Sequence, residues 1–261
     1  MTIATTIFHI QNRAAEQVEA ALTGIFAREE RPLALRVEGS YNATLTRLDA
    51  TEAAYRYLLL RPHGAGAWTP LLELGSRTEG LDAELSQALE GATIFTVYQY
   101  GEVVSGYRVT RAGVELDRYC SDPTAFESAE ASDDATADAN EEASEGENAG
   151  DVEGQRGRPE RFAELLPAGT TPADFTRVVL APGWWEAHDA GETPASAAPK
   201  RDGESDDESD DEGDLVDELD RMRCIALALE LWSPDDYPLT QELEDLPNKL
   251  IGPAIALAWG V

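Results

Sequence analysis

The side chains able to do chemistry are few and scattered. Three histidines, His9, His63 and His188, lie far apart. None has a second ligand-type residue at the helical or CxxC spacing by which a chain encloses a metal ion. Neither a metal nor a cofactor is expected, and no catalytic residue is assigned. His63 occupies the most site-like loop, Arg61-Pro62-His63-Gly64-Ala65-Gly66, where glycines let a ligand approach the backbone. No GxGxxG or GxxxxGK pattern stands there, so the plain reading is a strand connection. Cys120 precedes Ser121 and Asp122, but no histidine is close in sequence to take a thiol proton, so it reads as a packed cysteine at a strand end. Asp117, Tyr119 and Ser121 recur with period two, which puts them on one face of a strand that Pro123 ends. With His63 they are the candidates for a pocket. Their structural alternative is to cap a sheet edge by hydrogen bonds.

Two further stretches invite a functional reading. The run from Asp202 to Asp214, DGESDDESDDEGD, lacks the spaced ligands and closing glutamate of a calcium loop and reads as a solvated linker. Trp184-Trp185 stands beside it as a candidate anchor for a protein partner, with docking of helices on the sheet as the alternative.

The elements that must position these residues centre on Ala92–Phe126, where three short strands follow one another. Ala92–Tyr100 is β-branched and aromatic on both faces, the mark of a central strand. Breaks at Gly101-Glu102 and Arg111-Ala112-Gly113 fold Val103–Thr110 and Val114–Cys120 back as a meander. Upstream, Thr2–Ile10 reads as a strand, and Ala14, Val18, Leu22, Ile25 and Phe26 mark a helix with Asn12 as its N-cap. Leu33–Val37, Ala43–Leu48, Tyr55–Arg61 and Trp68–Leu74 each have strand character, and leucines 81, 85 and 89 mark a second helix. Downstream, helices are expected over 158–166, 171–180 and 214–232, and LIGPAIALAWGV is expected to be a buried tail. The expected fold class is therefore α+β: a mainly antiparallel sheet with two helices over residues 1–126, and C-terminal helices docked on it. Residues 157–186 form the helical segment and 214–261 the closing helix and tail. Residues 127–156 and 187–213 are expected to be disordered linkers, being acidic and poor in aromatics.

The formal net charge is −31 over 261 residues. Glu127–Gln155 carries eleven carboxylates and no cation, and Pro199–Leu219 carries eleven more against Lys200 and Arg201. Outside these runs 29 acidic residues face 18 basic ones, so the excess is local. Such a chain repels phosphate backbones, which disfavours direct nucleic-acid binding. The N-terminus lacks a signal-peptide pattern and no apolar run spans a bilayer, so a cytoplasmic location without membrane contact is expected. Cys120 and Cys224 accordingly read as reduced thiols.

Trp68, Leu85-Ser86, Gly113, Asp117, Tyr119, Ser121, Pro123 and Phe126 together form a pattern. By it the chain resembles a family of uncharacterised bacterial cytoplasmic proteins. The likeness covers about residues 68–126, with weaker likeness around 162–166 and 222–231. It implies no activity and transfers no functional residue.

The expected function is that of a non-enzymatic intracellular protein that binds another protein, a basic one, in the manner of an immunity or anti-toxin factor. The rival is an enzyme of unknown reaction with a pocket near His63 and Asp117. A third reading is an acidic nucleic-acid mimic, which requires rigidly spaced acids where this chain has low-complexity runs.

Overall fold

The computed structural model describes residues 4–60, 68–75, 80–100, 104–123, 152–166, 169–179 and 254–260. The strands are β1 (Ala4–Gln11), β2 (Leu33–Gly39), β3 (Tyr55–Leu60), β4 (Trp68–Glu73), β5 (Thr93–Tyr100), β6 (Val104–Arg111), β7 (Val114–Cys120) and β8 (Ala254–Trp259). The helices are α1 (Ala15–Arg28), α2 (Tyr41–Asp49), α3 (Leu81–Ala88) and α4 (Pro172–Val179), with 3-10 segments at Val152–Gln155 and Pro159–Leu165. All eight strands join one sheet in the order β2-β8-β3-β4-β1-β5-β6-β7. Every pairing is antiparallel. The α+β class with one large antiparallel sheet is thus as the sequence implies. No helix among the described residues is long and apolar enough to cross a membrane.

Both faces of the sheet are covered, which explains why its strands are apolar on both sides. On one face, α1 and α3 supply Val18, Leu22, Phe26 and Leu85 to a core with Phe8, Ile10, Ile94 and Trp259. The other face carries two clusters. Over one half, Tyr41 and Leu48 of α2 meet Leu58, Leu72 and the alanines 254, 256 and 258 of β8. Over the other, Phe162, Leu165 and Phe175 pack on Trp68, Phe95, Tyr107 and Tyr119. The meander closes at Ala112-Gly113, both at positive φ (52° and 76°), the backbone of a two-residue hairpin turn. A side chain at Gly106 would collide with the Tyr119 carbonyl and the Tyr98 ring, so glycine there permits the tight β6–β7 contact.

Several expectations are corrected. Ala43–Leu48 is helical rather than a strand: Tyr41, Thr44 and Leu48 fall at three-to-four spacing and are buried, and the Thr44 hydroxyl donates back to the Ser40 and Tyr41 carbonyls. The described part of the first 126 residues therefore includes α2 as a helix beside the two expected ones, α1 and α3. Asn12 does not cap α1; it turns the chain at φ 53°, and the cap position is Ala14, whose N–H donates to Gln17 Oε1 at 2.9 Å. Pro159–Leu165 is 3-10 rather than α, interrupted at Phe162 (φ −133°) as its ring turns into the core. The C-terminal tail is buried as a strand, β8, inserted between β2 and β3. Val152–Gln155, at the end of the stretch 127–156 expected to be a disordered linker, is a 3-10 segment against β7, followed by an isolated bridge between Arg156 and Tyr119. The rest of both acidic runs, and the expected helix over 214–232, lie outside the described residues.

Candidate functional site

Of the sequence-derived candidates, His63, Trp184 and Trp185 lie outside the described residues, as do His188 and Cys224. Asp117, Tyr119 and Ser121 are described, and all three are buried at the β7 end of the sheet. Asp117 and Tyr119 share a face of β7, and Ser121 follows the strand's last residue. Asp117 Oδ2 accepts the Tyr107 hydroxyl at 3.0 Å and the Arg158 N–H at 2.8 Å. Its Oδ1 lies 3.9 Å from the Arg161 guanidinium. Burial raises the Asp117 pKa above the usual carboxylate value, while the Arg158 N–H, the Tyr107 hydroxyl and the Arg161 charge pull it down. Tyr107 is pushed well up, first by burial and then by the Asp117 charge. Tyr119 stacks on Tyr107 with ring centroids 5.8 Å apart, and its carbonyl accepts the Tyr98 hydroxyl at 2.9 Å. Ser121 closes the ladder: its N–H donates to the Ser105 carbonyl and its Oγ accepts the Ser105 N–H.

With 2% of its surface exposed, Asp117 offers no oxygen to a substrate. Its bonds instead fasten the 152–166 segment over the edge of β7, to which Arg161 adds a bond to the Leu116 carbonyl at 3.2 Å. Asp117→Ala strands the Tyr107 hydroxyl and the Arg158 N–H. It is expected to lower the unfolding free energy by about 2 kcal/mol. It should also speed tryptic cleavage after Arg156 and Arg161, the Arg158–Pro159 bond being resistant to trypsin. Urea unfolding and timed proteolysis check both; a change under about 0.5 kcal/mol would show the carboxylate to be dispensable.

Sequence reading missed a second polar cluster, on the opposite face. Arg108 and Arg118 stand directly opposite each other in β6 and β7, an unfavourable pairing of like charges. Two carboxylates neutralise it. Asp82 of α3, itself buried, accepts the Thr110 hydroxyl at 2.7 Å and lies 3.4 Å from Arg108, whose Nε is 3.4 Å from Glu115. Glu115 takes both Arg118 nitrogens at 2.7 and 2.6 Å, and these hydrogen bonds hold the Arg118 pKa above its usual value. A buried Glu73 accepts the Tyr57 hydroxyl at 3.0 Å. The acids described so far are thus spent on bonds within the fold.

Among the described residues the buried atoms that lack a hydrogen bond, and could mark a ligand point, include His9 Nδ1 and Thr96 Oγ1, with Arg56 Nε in β3, two strands from β1. They do not converge. Phe8 is the residue opposite Thr96, so His9, next to Phe8 in the strand, faces the other side of the sheet. Cys120, a thiol buried at the end of β7, is inaccessible as a nucleophile. Among the described residues no three His, Cys, Asp or Glu side chains gather as metal ligands.

No family model matches the chain. No curated protein and no solved structure is significantly similar to it. The likeness seen in residues 68–126 therefore gains no family assignment from these comparisons.

Proposed function

We propose that the protein works by binding another protein, one with a basic surface, as immunity and anti-toxin factors do. The observation that supports this is the partition of charge. The buried acids Asp82 and Asp117 and the exposed Glu115 are paired with arginines. Meanwhile 22 of the 51 carboxylates are concentrated in two stretches of sequence, Glu127–Gln155 and Pro199–Leu219. Dense acidic segments attached to a rigid sheet accelerate encounter with a cationic partner and reject anionic ones.

The test uses the full-length chain beside variants lacking Glu127–Asp151 or Pro199–Asp214. The first deletion stops at Asp151 because Val152–Gln155 packs on β7. A basic protein co-purifying from the native host is expected to be lost on deletion, and its affinity is expected to fall steeply as salt rises. Affinity indifferent to salt overturns the reading.

A further inference from the structure

β8 reaches its place in the sheet from far along the chain. Its two strand neighbours, β2 and β3, belong to the first 60 residues and are joined to each other through α2. Both run antiparallel to β8 and hence parallel to each other, about 10 Å apart at two strand spacings. They form the side walls of a slot one strand wide.

The slot has a roof and a floor of its own. On one face α2 spans it, packing on β2 and β3 as well as on β8. On the other face α1 packs on β3 and holds β2 through Glu19, whose carboxylate takes Arg36 at 2.5 and 3.0 Å. Every wall therefore lies within residues 15–60, and each is tied to another without passing through β8.

β8 fits this slot with a different chemistry on each face. Ile255, Leu257 and Trp259 enter the core beneath α1, where Trp259 stacks on Phe26 at 4.4 Å and meets Tyr57 edge-on at 6.0 Å. Ala254, Ala256 and Ala258 face Tyr41 and Leu48 of α2. All six residues are buried. Backbone bonds to two flanking strands supply affinity, and the alternating pockets supply selectivity, as they do wherever a peptide is added to a sheet.

We infer that the slot between β2 and β3 is a strand-binding site, held in cis by β8, and that it accepts from another polypeptide an extended segment of the same chemistry. That segment carries alanine-sized residues at alternate positions, large apolar residues between them and an indole at the last. The small positions are the selective ones because α2 closes over them, and Ala256, opposite Val37 and Leu58, is the central one. A strand joined to its own site acts at an effective concentration on the order of 1 mM. An outside strand therefore enters where it binds better than β8 or where β8 is weakened. This strand site is independent of the acidic segments and of the basic partner proposed above.

The test is urea unfolding of the full-length chain with and without a peptide of the sequence Pro253–Val261, carrying a short glutamate tail for solubility, at about 1 mM. Two variants weaken the resident strand: Trp259→Ala empties the aromatic pocket, and Ala256→Phe drives a ring against α2. The peptide is expected to raise the folded-to-unfolded ratio of each variant by about tenfold or more, and that of the wild type by no more than about twofold. The same peptide bearing Ala256→Phe is expected to rescue neither variant. Rescue is read as recovered folding, so a variant that is unfolded from the start still reports. Rescue of either variant by the first peptide and not by the second sustains the inference. No rescue of either variant, equal rescue by the altered peptide, or a gain as large in the wild type overturns it.

Discussion

Replacing Trp259 by alanine is expected to lower the unfolding free energy by roughly 3–5 kcal/mol, the cost of a large cavity in a packed core. Trp259 is 1% exposed, stacked on Phe26 at 4.4 Å between centroids and edge-on to Tyr57 at 6.0 Å. Its surroundings cannot collapse into the space, because Phe26 is held by α1 and Tyr57 by its own strand and its bond to Glu73. The strand matters beyond the ring. β8 joins β2 to β3, so weakening it detaches β2 and loosens α2, which rests on the alanine face of β8. Denaturant unfolding of Trp259→Ala beside Val114→Ala gives the contrast, since Val114 is 63% exposed and its truncation should stay within about 0.5 kcal/mol. Losses of similar size in the two variants would mean that β8 is not integral to the sheet.

β8 also shows why part of the fold was legible and part was not. The meander β5–β6–β7 could be read because its alternation, its Gly113 turn and the covering of both faces are all local signals. β8 alternates too, with Ile255, Leu257 and Trp259 against Ala254, Ala256 and Ala258, but its strand partners lie about 200 residues away and nothing local names them. Its alanines look like a weak pattern until α2 is placed on them, where small side chains let a helix approach. α2 itself was misread because Ala43–Leu48 alternates over six residues. The helical spacing shows only when Tyr41 is included. At the candidate site, the shared face of Asp117 and Tyr119 was visible from period two, whereas Arg158, 41 residues on, was not. The Asp82–Arg108–Glu115–Arg118 cluster was hidden for a different reason. Alternation puts Glu115 on the face of Asp117, but the register shift between Val109 and Thr110 brings it opposite Thr110, onto the face of Arg118.

Below neutral pH the stability is expected to fall through His9, and His9→Leu is expected to remove that part of the fall. His9 is 1% exposed in β1 opposite Pro70 and Phe95, its Nδ1 has no hydrogen bond, and burial lowers its pKa to about 3. An unfolded histidine titrates near 6.5. Between these values the unfolded chain takes up a proton that the folded one refuses. The folded-to-unfolded ratio thus loses up to about tenfold per pH unit, from pH 6.5 down to about 3, with no loss above 6.5. Asp117 contributes with the opposite sign: its folded pKa is raised, so acidification through that value favours the folded state. Because Asp117 and the other carboxylates remain in both proteins, the difference between wild type and His9→Leu isolates the imidazole. That difference should be nearly flat above pH 6.5, where removing an unpartnered buried nitrogen stabilises the variant by about 1 kcal/mol, and should widen steadily as pH falls. Chemical denaturation midpoints between pH 4 and 8 measure it. Parallel curves across the range would show that His9 accepts a proton in the folded chain, and hence that the buried strand face can house an imidazolium.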